Sequence, residues 1–355
     1  MKLLIAAGGT GGHILPGIRI GRALENQAGE NNRVVYLCGE KEIEERIYRG
    51  EEMAPRVLRG RFYRGNLLCR LASSLLALPR VCGIFSKEKP DAVLAMGGAV
   101  CLPVLLCARI AGLPIFLHES NSVRGRVTRM FSPHARRVYL GLDTGNRPNE
   151  VQLGTPSGAV IEADSRRVVL CLGGSQGAIA LNDAFVKAGN LLGPLFPDYR
   201  FLLVCGPGKS PENPAAVEVR EYVANLPELL AQTCVAVSRA GAGTLADLAN
   251  FRIPSILVPY PAAMDNHQDR NARIVTDGGG ALLLTESEMS GEIMAKLLKD
   301  LLSDGGRRDE MMGALAKFDS SQSAQLIVDD MLRELSRGKV SRPSPEREGI
   351  GHASH

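Results

Sequence analysis

Lys2-Leu-Leu-Ile-Ala-Ala-Gly8-Gly9-Thr10-Gly11-Gly12-His13 reads as a short apolar strand that breaks on glycines and opens a helix, with Pro16 near the start of a helical run to about Gln27. A second stretch of the same design, Val168-Val-Leu-Cys-Leu-Gly173-Gly174-Ser175-Gln176-Gly177, leads into a helical run through Phe185. Such a turn aims backbone N–H groups and the positive end of a helix at whatever binds there. Two of them predict two α/β domains facing a shared cleft, with one grip per substrate.

The rest of the chain alternates in the same way. Strands are expected at Lys2–Ala7, Arg33–Cys38, Asp91–Met96, Pro114–His118 and Arg136–Leu140, then at Arg167–Leu172, Arg200–Cys205, Cys234–Ser238 and Ser255–Val258. Helical runs separate many of them, so both halves should form parallel sheets with right-handed crossovers. Ligands sit beyond the carboxyl ends of such strands. Gly97-Gly98 and His118-Glu119-Ser120-Asn121 follow strand ends and should face the same crevice as the first glycine turn. Gly154-Thr-Pro-Ser-Gly158 has linker composition. The expected domains are therefore 1–155 and 156–320. Ala324, Ile327, Met331 and Leu335 recur at helical period, giving a helix over 321–335 that completes the first domain. Residues 336–355, rich in Ser, Pro, Arg and Gly, read as a disordered tail.

Composition limits the function classes. The 355 residues are 45% hydrophobic and 23% charged, which fits a globular protein with two cores. A net charge of +4, 5% aromatics and no Trp give no basis for nucleic-acid binding. Eight cysteines lie in or beside apolar stretches without a C-x-x-C pair, so buried, reduced thiols of a cytosolic protein are expected. A strand starting at Leu3 leaves no room for a leader. The longest uncharged apolar run, Met96–Ala108, is too short to span a bilayer.

The first turn lacks the Lys-Ser/Thr of a phosphate-binding P-loop and the spacing of a dinucleotide fingerprint. His13 stands at its helix start. A neutral imidazole there can take a proton from a substrate hydroxyl, or it can be a structural cap. Asn121 can recognise sugar hydroxyls with Glu119 or His118 in support, or the whole segment can be a hydrogen-bonded turn. Asp265-Asn-His267-Gln268-Asp-Arg-Asn271 is a polar burst that suits polyol recognition or an N-cap with a solvated surface. Asp247, one turn into the helix opened by Gly241–Thr244, can accept ribose hydroxyls or partner the helix dipole.

Taken together, Ala7–His13, His118–Ser122, Gly173–Gly177, Ser238–Thr244 and Asp265–Gln268 with Asn271-Ala272 closely resemble, in order, the signatures of the MurG family. These are peptidoglycan N-acetylglucosaminyltransferases of the GT-B fold. The resemblance runs from residue 1 to about 335. It implies two Rossmann-like domains and inverting transfer of GlcNAc from UDP-GlcNAc to the muramyl 4-hydroxyl of lipid I, giving lipid II. By that resemblance His13 is the base. Thr10, Gly11 and Gly12 face the acceptor and the sugar. Ser175 and Gln176 meet the diphosphate region, and Val223 lies beside the uracil. Ala242, Gly243, Thr244 and Asp247 carry the ribose and phosphate contacts. Gln268, with His267 beside it, and Asn121 address the GlcNAc hydroxyls. No D-x-D motif is suitably placed, so neither an obligatory metal nor a cofactor is expected.

The chain departs from the family pattern twice. Asp247 stands where the family usually has Glu, and Gly158 where its Gly-Asn-Pro-Val-Arg linker has Arg. A diphosphate or interdomain contact made by that Arg must come from elsewhere or be absent. A lipid acceptor implies peripheral attachment to the cytoplasmic face of the bacterial membrane, with other cell-wall enzymes as further partners. Leu67, Leu71, Leu75 and Leu78 share one helical face amid Arg59, Arg61, Arg64, Arg70, Arg80 and Lys87, which suits an anionic leaflet or an ordinary core helix. The alternatives are a non-hydrolysing UDP-GlcNAc 2-epimerase, another GT-B glycosyltransferase, or a non-catalytic sugar-nucleotide-binding subunit.

Overall fold

The structure is a computed structural model. It describes residues 1–27, 31–60, 62, 67–143, 145–162, 165–173 and 178–340, with the backbone alone for 67–71 and 338–340. Two parallel sheets carry the fold. The first contains β1 (Lys2–Ala7), β2 (Arg33–Cys38), β3 (Arg56–Val57), β4 (Ala92–Gly97), β5 (Ile115–Glu119), β6 (Arg137–Leu140) and β7 (Glu150–Gln152), in the order β3-β2-β1-β4-β5-β6-β7. The second contains β8 (Val168–Leu172), β9 (Arg200–Val204), β10 (Val217–Arg220), β11 (Thr233–Ser238), β12 (Ser255–Leu257) and β13 (Ala281–Leu283), in the order β10-β9-β8-β11-β12-β13. The same doubly wound order occurs twice, and β1 and β8 occupy equivalent central places.

Apart from Lys2 at the start of β1, both central strands are apolar because helices cover both faces of each sheet. Side chains alternate across a strand. Leu3, Ile5 and Ala7 therefore enter one core with Ile14 and Ile18, while Leu4 and Ala6 enter another with Val104 and Leu105. In the second sheet Val169 and Cys171 join Phe185 and Met294 on one side, and Val168 and Leu170 join Leu245 and Leu248 on the other.

The first half carries α1 (Gly11–Glu25), α2 (Glu42–Gly50), α3 (Leu67–Glu88), α4 (Cys101–Ile110) and α5 (Arg126–Phe131). The second carries α6 (Ile179–Leu192), α7 (Leu226–Ala231), α8 (Ala242–Asn250), α9 (His267–Asp277), α10 (Gly291–Ser303) and α11 (Gly305–Leu315). The last helix, α12 (Ser323–Val340), returns to the first half. Its Ile327, Val328 and Met331 are fully buried in the core that α1 covers. Burial of such side chains contributes roughly 1.5–3 kcal/mol each. Tyr139 on β6 donates to Asp330, and Arg137 pairs with Asp330 and Glu334, which fixes the helix along the sheet edge.

The chain thus crosses between the halves twice, and the crossings are bonded to each other. Ser320 Oγ donates to the Thr155 carbonyl at 3.0 Å, and Ser323 Oγ donates to the Leu153 carbonyl. Ser320 N–H reaches Asn250 Oδ1 at 2.7 Å.

Several boundaries differ from the sequence expectation. α1 already starts at Gly11, because Thr10 is the extended N-cap and both glycines are helical. α12 continues to Val340, so 336–340 are helix and not tail; 341–355 lie outside the described residues. β3, β7, β10 and β13 are additional strands of two to four residues, too short for a periodic signal. Cys82 is exposed, contrary to the expectation of buried thiols, and its Sγ lies 3.2 Å from that of Cys107. The side chain of Cys69 lies outside the described residues.

Candidate active site

His13 is the third residue of α1, just beyond the carboxyl end of β1. Its Nδ1 is 2.9 Å from the Gly8 carbonyl oxygen. A carbonyl only accepts, so Nδ1 carries the hydrogen and the neutral ring presents its lone pair at Nε2. Gly97 and Gly98 make room for this ring. They have φ of +110° and +88°, and a Cβ on Gly97 would come within 2.9 Å of His13 Nε2. A Cβ on Gly98 would meet the Gly8 carbonyl oxygen at 2.4 Å. Only glycine fits both the backbone angle and the space.

The first glycine turn is not an empty anion cradle. Gly9 N–H donates to Glu44 Oε1 at 2.6 Å, from the first turn of the neighbouring α2. The expectation of one anion grip per half is corrected here: the chain's own carboxylate occupies this turn. Thr10, at the N-cap, is exposed and accepts from His13 N–H through its carbonyl.

His118 and Glu119 are organisers of the loop. His118 is fully buried at the end of β5, with Nε2 3.3 Å from the Gly154 carbonyl and Nδ1 3.5 Å from Ser120 Oγ. Burial pushes its pKa down to about 4. Glu119 accepts from Gly125 N–H at 2.8 Å, Thr128 Oγ1 at 3.0 Å and Asn121 N–H and Nδ2 at 3.3 Å.

Asn121 connects the two halves through Asn271, a fully buried residue of α9. Asn271 Nδ2 donates to Asn121 Oδ1 at 3.1 Å and to the Ala240 carbonyl at 3.2 Å. Its Oδ1 accepts from Ser122 N–H and Oγ at 3.0 and 2.8 Å. The sequence showed Asn271 only as part of a motif; its partners on the other half lie about 150 residues away. Arg129 of α5 reaches Asp265 in a second contact across the halves. Asp265 and Asn266 both have positive φ, which turns the chain sharply into α9.

In the second half, Ala242, Gly243 and Thr244 form the first turn of α8. This helix start has no side-chain cap and no acid in its first turn. A Cβ on Gly243 would meet nothing within 4 Å. First-turn N–H groups without intrahelical partners, a helix dipole and open space are the features that suit an anion. Asp247, one turn on, is mostly buried and accepts from Gly158 N–H at 3.3 Å. Burial raises its pKa, while Arg19 and the Gly158 N–H act in the opposite direction. Gln268 uses Oε1 to accept from Tyr260 N–H at 3.0 Å, which leaves its amide nitrogen to donate elsewhere. His267 Nδ1 is tied to the Met264 carbonyl at 2.7 Å. Val223 follows β10 and packs against the second core. Ser175 and Gln176 lie outside the described residues. Among the described residues, no three His, Cys, Asp or Glu side chains converge as a metal site.

Two doubly wound parallel sheets, with the glycine turns and polar loops at the carboxyl ends of their strands, are the architecture of the GT-B fold. The description "Glycosyltransferase family 28 N-terminal domain" matches residues 3–140, and "Glycosyltransferase family 28 C-terminal domain" matches residues 168–327. The chain is 32% identical, over 98% of its length and 85% of the relative's, to the UDP-N-acetylglucosamine–N-acetylmuramyl-(pentapeptide) pyrophosphoryl-undecaprenol N-acetylglucosamine transferase of Xanthomonas euvesicatoria. Its fold matches Acinetobacter baumannii MurG with a TM-score of 0.74 at 24% identity, covering 94% of this chain and 99% of that one. It also matches the UDP-GlcNAc 2-epimerase of Neisseria meningitidis, with a TM-score of 0.67 at 12% identity, over 94% and 100% of the two chains; that likeness is one of fold. The chain belongs to glycosyltransferase family 28 and, within it, to the MurG family of N-acetylglucosaminyltransferases.

Proposed function

We propose that the protein transfers GlcNAc from UDP-GlcNAc to the muramyl 4-hydroxyl of lipid I with inversion, making lipid II. The observation that carries the chemistry is the His13 ring, whose Nδ1–H is committed to Gly8 and whose Nε2 is the available base. The hydroxyl proton passes to Nε2 as the oxygen attacks C1 of the α-linked donor. The C1–diphosphate bond breaks on the opposite face, and UDP departs with the electron pair. The open start of α8 stabilises the negative charge of the diphosphate. Asp247 accepts the ribose hydroxyls, and Gln268 and Asn121 orient the sugar. Residues 1–155 with α12 form the acceptor half, and 156–320 the donor half.

The protein should form UDP and a disaccharide product when incubated with UDP-GlcNAc and a lipid I analogue. UDP-ManNAc appearing without an acceptor would instead assign it to the epimerases.

Attachment to the cytoplasmic membrane surface is the second part of the proposal. The surface differs from the leucine face read in the sequence. Leu78 packs against the core, whereas Leu75 and its neighbour Leu76 are exposed at 59% and 80%. Leu67 and Leu71 have side chains outside the described residues, as do Arg61, Arg64 and Arg70. Arg59, Arg80 and Lys87 are exposed. No helix among the described residues is long and apolar enough to cross a membrane. Leu75→Asp with Leu76→Asp should abolish sedimentation with anionic vesicles while leaving the thermal melt and UDP binding unchanged, because both side chains already face solvent. Undiminished sedimentation would remove this face from the proposal.

A further inference from the structure

Arg19 lies on α1, in the acceptor half, yet every close contact of its guanidinium is to the linker or the donor half. Nη1 donates to the Pro156 carbonyl at 2.9 Å. The same nitrogen is 4.0 Å from Asp247 Oδ1. Nη2 is 3.6 Å from the point a Cβ on Gly158 would occupy. Gly158 N–H itself donates to Asp247 Oδ1. The side chain of Arg19 is only 25% exposed and that of Asp247 15%. The two positions at which the chain departs from its family pattern are therefore hydrogen-bonded to each other, and one guanidinium fills the space beside both. A shorter acid at 247 and a missing side chain at 158 leave room for a cation delivered from the opposite half.

We infer that Arg19 is a donor-positioning residue, which keeps Asp247 aimed at the ribose and ties that carboxylate to the linker. The inference rests on the reading of Asp247 as the ribose acceptor. Its physical basis is direct. A carboxylate out of water loses its charge unless a cation or hydrogen bonds compensate. Only the ionised form accepts from both hydroxyls of a vicinal diol. Burial raises the Asp247 pKa, and Arg19 is the largest influence acting against it. Through Nη1 alone the guanidinium reaches the Pro156 carbonyl and lies beside Asp247, and Asp247 in turn opposes the burial that lowers the pKa of Arg19.

The test compares two nucleotides on the purified full-length protein by calorimetry: UDP, and UDP lacking the 2′ and 3′ hydroxyls. Arg19→Ala should weaken UDP about 5- to 20-fold and the dideoxy nucleotide less than about 2-fold, because the lost contact acts through the carboxylate that reads the diol. Arg19→Lys keeps the charge and the stem and should lose only about 2- to 4-fold. Restoring a cation from the linker, with Gly158→Arg added to Arg19→Ala, should recover most of the loss; Pro227 Cγ, 3.3 Å from the new Cβ, must give way slightly. Equal losses on both nucleotides, or no loss on UDP in either Arg19 variant, would overturn the inference. Asp247→Ala is the reference. If it leaves UDP binding intact, the ribose reading itself fails; if it weakens UDP while Arg19→Ala does not, only the role of Arg19 falls.

Discussion

The two halves share one strand order and one strand–glycine–helix design, yet their crevices are electrostatic opposites. In the acceptor half, Glu44 takes the Gly9 N–H and His13 is fastened to the Gly8 carbonyl. In the donor half, the start of α8 has neither a side-chain cap nor an acid in its first turn, and the space beside Gly243 is open. One helix start has a carboxylate of the chain's own beside it; the other has no side-chain partner of that kind in its first turn. A repeated topology thus fixes where ligands sit, while a few side chains decide which charge each crevice accepts.

The largest effect expected from breaking this contrast is at His13. His13→Ala should lower kcat by roughly 10²–10⁴-fold with donor affinity little changed. Near-normal turnover would reduce the ring to a helix-start ornament and leave the acceptor half without a base.

The next effect separates the halves by acid sensitivity. His118, in the acceptor half, stays unprotonated in the folded state down to about pH 4, whereas its ordinary value is 6.5. The unfolded chain therefore binds the proton first as pH falls. Its contribution is fully present above about pH 6.5 and disappears as pH drops towards 4. The shift corresponds to about 3 kcal/mol. His118→Asn should flatten the decline in melting temperature across that window. An unchanged slope would place the acid-sensitive group elsewhere.

The smallest effect is the most direct trial of the electrostatic contrast. Gly243→Asp places in the donor half the kind of carboxylate that Glu44 supplies to the other. The new side chain has space, so the fold should persist, and UDP affinity should fall about tenfold through repulsion at the helix start. Unchanged UDP binding with an intact melt would show that the diphosphate does not sit at α8.

The central strands were legible because continuous apolar runs ended on glycines: Lys2–Ala7 and Arg33–Cys38 stand where the pattern put them. β3 was not, since Arg56 and Val57 are exposed and carry no periodicity. α10 and α11 were unannounced, although Ser290 and Asp304 cap them by accepting from Ile293 and Arg307 N–H. Of the residues proposed for the site, His13, Asn121 and Gln268 drew attention in the sequence because each follows a strand end or opens a helix, and Asp247 because it lies one turn into α8. Glu44, Arg19 and Asn271 were not singled out. Their meaning lies in partners on other elements, and no local pattern encodes a contact between α1 and α8.

The doubled crossing at Leu153–Gly158 and Ser320–Ser323 has a topological consequence. Because α12 belongs covalently to the donor half but is buried in the acceptor half, the polypeptide is stitched and not merely linked. A single backbone cut in the linker would leave two fragments gripping each other through Ile327, Val328 and Met331. The two covalent passages lie side by side and are bonded to each other, so the junction between the halves is a double thread of chain where a simple linker would leave one.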